Sequence, residues 1–249
     1  MKKCDFSSKH YMEILNLLKN NGYNFLFYKN YRNNSQTNGQ LVILRHDIDQ
    51  SIDAAYHIAQ IENNLAVKST YFVWITSPFY NILDPSQTKL LLNILDLGHD
   101  IGLHFDPTAY PESNDIVEKL QIEIEILAKI LNHNISSFSF HRPGKNLLNK
   151  SLKIKGLFNA YDKTFFKEFK YISDSNHNWS EDCACNHIKN NKLHILTHPI
   201  WWNYNHLSTQ NDKLNVFKDE LNEKIIAELV KNIKGFQDPM KESVFYRNR

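Results

Sequence analysis

Strand-like and helix-like hydrophobic patterns alternate along this chain, and that alternation limits what it can fold into more than any other feature of the sequence. Residues 8–20 place Tyr11, Ile14, Leu15 and Leu18 on one helical face. Asn20-Asn21-Gly22 ends that helix ahead of an aromatic stretch, 23–28, expected to be a strand. An Asn-rich loop, 30–39, leads to the apolar run Leu41-Val42-Ile43-Leu44. Ile52, Ala55, Ile58 and Ala59 then follow at helical spacing, and 67–75 is β-branched and aromatic, completing a strand-helix-strand unit. The pattern continues with a helix at 85–97, a strand at 99–105, a helix at 115–131 and a strand at 136–141. Strands at 170–173 and 193–197 and a last long helix at 212–233 end the alternation. Repeated units of this kind predict a parallel sheet, either closed as a barrel or open and doubly wound. The 249 residues are enough for one such domain, expected to span 1–249.

The apolar run at 41 does not end like an ordinary core strand. It passes directly into Arg45-His46-Asp47-Ile48-Asp49, and side chains alternate faces along a strand, so Asp47 and Asp49 point the same way. Two like charges so close are unfavourable unless a cation, an arginine or a shared proton offsets them. Solvation of both carboxylates in a polar loop is the plainer alternative, and the other unusual residues weigh against it. His104 and Asp106 end the strand at 99–105, His141 and Arg142 end the next, Asp174 follows Tyr171-Ile172-Ser173, and His198 follows 193–197. All lie at carboxyl ends of predicted parallel strands, the edge where barrels and open α/β sheets assemble their active sites. His57, His133 and His194 lack that placement and read as structural.

Other classes lose support. The net charge is +2 with Lys and Arg scattered, which gives no basis for nucleic-acid binding. None of the seven glycines falls in a dinucleotide or phosphate-binding loop. No segment approaches the ~20 apolar residues of a membrane span. The basic start Met1-Lys2-Lys3 has no apolar run behind it, so a soluble cytoplasmic protein without stable membrane insertion is expected. Three cysteines suit reduced thiols. Cys183-Ala184-Cys185-Asn186-His187 has zinc-ligand chemistry but lacks a second ligand pair at a familiar spacing, so it reads as a polar loop with two incidental thiols.

Five segments occur in a telling order: Arg45-His46-Asp47-Ile48-Asp49, Gly98-His99-Asp100-Ile101-Gly102-Leu103-His104-Phe105-Asp106, Phe138-Ser139-Phe140-His141-Arg142-Pro143, Tyr171-Ile172-Ser173-Asp174-Ser175 and Leu196-Thr197-His198-Pro199. With them the chain resembles the polysaccharide deacetylase family, the NodB-homology carbohydrate esterases, and within it the branch whose first motif is Arg-His-Asp-x-Asp. The likeness covers 41 to about 202. It implies an irregular (β/α) barrel with fewer than eight units and hydrolysis of an acylamide on a sugar. It also implies Asp47 as general base, Asp49 and His104 as metal ligands, Arg142 as the arginine orienting the base, His198 as general acid and Asp174 as the residue orienting that histidine. The ion implied is divalent, with Zn2+ ahead of Co2+, Ni2+ or Mn2+.

The sequence departs from the family at one ligand. The family places another histidine four residues after the first metal histidine, and this chain has Thr108 there. A hydroxyl is a poor replacement for imidazole, so the third ligand is expected from His141, with Asp106 as the alternative. Trp179, Trp201 and Trp202 are candidates for a sugar platform or plain packing. The substrate expected is an N-acylated, usually acetylated, sugar intermediate of surface polysaccharide assembly, nucleotide-linked or lipid-linked. Two other readings stay open: a metal-independent amidohydrolase or deformylase on the same fold, and a catalytically silent carbohydrate-binding protein.

Overall fold

The structure, a computed structural model, describes residues 4–31, 39–112, 115–144, 152–180 and 182–236. The chain divides into two compact units, Met1–His206 and Leu207–Arg249. The second unit carries the helix Gln210–Asn232, whose first turn is capped by the Thr209 hydroxyl accepting from the Asp212 N–H. Every motif named above lies in the first unit.

That unit is built around β2 (Leu41–Ile48), whose eight residues are all buried. The other strands are β1 (Asn24–Phe25), β3 (Thr70–Val73), β4 (Asp100–Phe105), β5 (Ser137–Phe140), β6 (Phe158–Asn159), β7 (Lys170–Ser173) and β8 (Lys192–Thr197). They form one sheet in the order β6-β5-β4-β3-β2-β8-β7, with β1 also on β2, and every pairing is parallel. The helices are α1 (Ser8–Asn20), α2 (Tyr28–Tyr31), α3 (Ile52–Asn64), α4 (Pro85–Asp96), α5 (Ile116–Leu131) and a short helix Lys163–Glu168. α3 starts where the Ser51 hydroxyl accepts from Ala54 N–H, and α4 starts at the Asp84 cap with Pro85 in its first turn.

The period-two alternation of the strands sorts residues to two faces. Ile48, Tyr71, Val73, Ile101, Leu103, Phe105, Phe138 and Phe140 point outward into one core with Ile52, Ala55 and Ala59 of α3, Leu91 and Ile94 of α4, and Leu120, Leu127 and Leu131 of α5. Full burial of each large apolar side chain contributes ~1.5–3 kcal/mol. The other face holds Leu41, Ile43 and Phe72 in a second cluster, and on the same face Arg45 and Asp47 are buried too. At Gly102 a Cβ would collide with the Phe72 ring and sit 2.8 Å from the Ser137 carbonyl, so only glycine lets Phe72 fill this interior.

The sheet is strongly curled. Asp47 Oδ1 on β2 lies 3.5 Å from Ser139 Oγ on β5, three strands away, where a flat sheet would separate them by roughly 14 Å. Arg45 likewise reaches the Tyr161 hydroxyl, just past β6, at 3.2 Å. The expected parallel strands and helices are therefore present as a curled, partial barrel, and β6 and β7 do not pair with each other among the described residues.

Local expectations differ in three places. The strand expected at 23–28 shrinks to β1, and the chain turns into α2 instead. β1 pairs only with Leu41 and Val42, because from Arg45 onward that edge of β2 is taken by β3. β6 and the helix Lys163–Glu168 add to the expected elements, being too short to give a periodic signal. Of the loop expected at 30–39, residues 32–38 lie outside the described residues.

Candidate active site

The carboxyl ends of five strands converge. Asp47 sits on β2 and Asp49 just beyond it, His104 near the end of β4, and His141, Asp174 and His198 one residue past β5, β7 and β8. His104 Nε2 lies 3.1 Å from Asp49 Oδ1 and 3.2 Å from His141 Nδ1, and His141 Nδ1 lies 3.4 Å from Asp49 Oδ1. His198 Nε2 approaches from another side, 3.8 Å from Asp49 Oδ2. Asp47 Oδ2 is 3.8 Å from His104 Nδ1.

The three donors of Asp49, His104 and His141 form a triangle suited to a divalent cation. Ligands ~2.1 Å from a tetrahedral ion are separated by roughly 3.4 Å, close to all three edges. Asp49 Oδ1 has both ring nitrogens within 3.4 Å, and those nitrogens lie within hydrogen-bond reach of each other, so three ligand-type atoms crowd one small space. Ser139 Oγ, 2.6 Å from His104 Nδ1, fixes that ring with Nε2 toward the triangle. The Trp74 indole stacks on His141 at a centroid distance of 3.9 Å, 23° from parallel. Burial opposes ionisation of Asp49, yet the adjoining nitrogens of His104 and His141 and the charge of His198 hold its carboxyl well below the usual range. Asp106, the alternative third ligand, is turned away: its Oδ1 accepts from the Thr108 N–H at 2.9 Å and hydroxyl at 2.7 Å.

His198 is held by Asp174. Its Nδ1 lies 2.7 Å from Asp174 Oδ1, its backbone N–H donates to the same carboxylate, and the Trp202 indole N–H donates to Asp174 Oδ2 at 2.8 Å. Burial alone would lower the pKa of His198, but the bond and charge of Asp174, with Asp49 and Asp47, raise it to about 9. With Nδ1 taken by Asp174, the ring turns Nε2 toward the carboxylates.

The arginine beside Asp47 is Arg45. Its Nη2 lies 3.1 Å from Asp47 Oδ2, its guanidinium stacks on Tyr161 at 4.7 Å, and it is fully buried. Arg142 is instead exposed, with its backbone in the left-handed region at φ 48°, and it makes no hydrogen bond or ion pair with another described residue. The sequence carries a signal for Arg45, which is two residues before Asp47 and shares its strand face. Of the three tryptophans weighed between platform and packing, Trp179 is half-buried and the other two pack into the interior. Trp202 is fully buried with its indole bound to Asp174, and Trp201 is 4% exposed.

No protein-family model and no curated protein matches the chain. Among solved structures it is similar to a family 4 carbohydrate esterase from Bacillus anthracis, at 20% identity and TM-score 0.44 with 84% of each chain covered. It is also similar to the Streptococcus pyogenes deacetylase PplD in complex with acetate, at 15% identity and TM-score 0.46 over 85% of each chain. A third is the chitin deacetylase of the fungal pathogen Colletotrichum lindemuthianum, at 17% identity and TM-score 0.45, covering 74% of this chain and 84% of that one.

Proposed function

We propose that this chain is a metal-dependent hydrolase that removes an N-acyl group, most simply acetyl, from a sugar intermediate of surface polysaccharide assembly. The observation that carries the proposal is the Asp49, His104 and His141 triangle with a carboxylate base on one side and the Asp174-held His198 on another. Those three residues would hold the ion, with zinc as first choice for a two-imidazole, one-carboxylate set. When bound, such an ion supplies Lewis-acid polarisation of a carbonyl and of a water molecule.

The remaining steps belong to the chain's own residues. Asp47, paired with the Arg45 guanidinium at 3.1 Å, accepts the proton of the attacking water. Ser139, bonded to His104, also lies 3.5 Å from Asp47 Oδ1 and limits how that carboxylate can rotate. His198 donates its Nε2 proton to the departing amine nitrogen, while Asp174 and the Trp202 indole keep the ring from turning. Acid and base therefore act from different sides of one centre. Burial of Arg45, His104 and Asp174 keeps bulk water from screening these charges.

The chain purified without chelator should release acetate from N-acetylated nucleotide-linked or lipid-linked sugars, and His104→Ala should lose turnover together with the rim metal. Turnover that survives complete metal removal would sink the proposal in favour of a metal-independent amidohydrolase. Sugar binding by metal-loaded protein with no acid released would favour a silent binding protein.

A further inference from the structure

A second cluster of ligand atoms lies where the segment leading into α1 meets the loop before β8. Cys4 precedes α1, His10 is in its first turn, and Cys183 and Cys185 bracket Ala184. Cys4 Sγ and Cys185 Sγ are 3.5 Å apart, His10 Nε2 and Cys183 Sγ 3.2 Å, and all four donor atoms lie within 4.8 Å of one another. We propose that Cys4, His10, Cys183 and Cys185 form a structural zinc site that clasps the N-terminal segment to this loop.

The geometry fits four-coordinate zinc. With Zn–S near ~2.3 Å and Zn–N near ~2.1 Å, neighbouring ligands of a tetrahedron are about 3.5–3.8 Å apart. The cluster also gathers every cysteine in the sequence, two of them 181 residues apart, so it is not a chance pair of neighbours. Disulfide pairing would leave one thiol and the imidazole without a role. The histidine is already oriented as a ligand. Glu13 Oε2 lies 3.3 Å from His10 Nδ1, so the carboxylate accepts from Nδ1–H and leaves the Nε2 lone pair aimed at the thiols. On the other side, Asp182 accepts from the Cys183 N–H at 2.7 Å and from the Asn186 amide at 2.8 Å, fixing the turn that presents both sulfurs. Four protein ligands close the coordination sphere, the mark of a structural and not a catalytic ion. The segment so fastened lies against Trp202. Ser8 Oγ donates to the Trp202 carbonyl at 2.9 Å, and the Phe6 and Tyr11 rings each lie 5.1 Å from the Trp202 ring. The clasp therefore supports the tryptophan whose indole holds Asp174.

Full-length His104→Ala, purified from zinc-containing medium without chelator, separates this site from the rim. Elemental analysis should find about one zinc per chain, and its X-ray absorption should fit three sulfurs near ~2.3 Å and one nitrogen near ~2.1 Å. Adding Cys183→Ser and Cys185→Ser should abolish that zinc. Because that variant risks misfolding, Cys4→Ser alone, which keeps three ligands, should hold zinc at least about tenfold more weakly with one fewer sulfur. Unaltered protein with only sulfur-bound zinc would support the clasp and count against the rim ion, so the two proposals fail separately. The clasp is overturned if His104→Ala carries no zinc, if its zinc has no sulfur neighbours, or if a Cys4–Cys185 disulfide is found in place of metal.

Discussion

Glu62 is a fully buried carboxylate and Asp49 a half-buried one beside β2, one under each face of the sheet. Glu62, on α3, meets the outer face, where Ser69 Oγ donates to it at 2.6 Å and Tyr71 Oη at 2.7 Å. The Tyr11 hydroxyl donates to its other oxygen, and His46 Nε2 lies 2.8 Å away. Burial would raise its pKa, but the charge of His46 and these bonds bring it down to about 2. Every acceptor is used, and the anion ties α1, α3, β2 and β3 together. Asp49, on the inner rim, has two ring nitrogens within 3.4 Å of Oδ1. Donors that satisfy one another build a scaffold, whereas donors that point at a shared space define a place for something else.

Removing each carboxylate should give the largest and most divergent effects. Asp49→Ala should abolish turnover and rim metal while lowering the urea midpoint less than Glu62→Ala does, because only the pull of the neighbouring imidazoles on a half-buried carboxylate is lost. Glu62→Ala should cost ~3–5 kcal/mol of stability, since it leaves His46, Ser69 and two tyrosines buried without their acceptor. Comparable stability losses for the two variants would mean that the rim cluster is also scaffold, and the contrast would collapse.

Glu123 on α5 falls between these cases and sharpens them. Tyr110 donates to its Oε1 at 2.6 Å, while Oε2 is buried without a partner. Burial, aided by the charge of Asp106 and opposed by the Tyr110 bond, raises its pKa from the usual 4.5 to about 7. A carboxyl with a raised folded pKa stabilises the fold fully below its unfolded pKa, and that stabilisation is lost as pH rises through the folded value. Glu123→Gln should therefore match the wild type near pH 4.5 and exceed it by ~1–3 kcal/mol at pH 8, the gap opening between about pH 4.5 and 7. A gap that stays constant with pH, read from urea midpoints, would show that this carboxyl does not titrate in that window.

The same contrast explains what the sequence makes legible. Parallel strands, their carboxyl-end residues and the shared face of Asp47 and Asp49 all follow from local periodicity, which a single chain displays directly. The face rule covers Arg45 as well, yet like-charge repulsion singles out only the carboxylates, and family resemblance puts the arginine role on Arg142. The clasp is illegible for a different reason. Cys183 and Cys185 lack a nearby ligand pair, and Cys4 and His10 reach them only through tertiary folding. Nor does composition separate Trp202, whose indole bonds Asp174 in the core, from an exposed ring of the same type. Glu62 carries no motif at all, because its partners come from α1, β2 and the start of β3, apart from its own helix.

The smallest expected effect tests which arginine serves the base. Arg45→Ala should lower turnover by ~10² or more and also destabilise the fold, because it leaves Asp47 buried without its cation. Arg142→Ala should change stability by less than ~0.5 kcal/mol, as surface substitutions away from bonded networks usually do. Alanine carries a Cβ like arginine, so the left-handed backbone at φ 48° is strained equally in both and the variant isolates the guanidinium. Turnover within about threefold of wild type is expected, since exposed Arg142 has no bond to the described site. A loss in kcat as large as that of Arg45→Ala, with KM unchanged, would instead bring Arg142 to the reacting groups once substrate is bound, and Arg45 would revert to a purely structural cation.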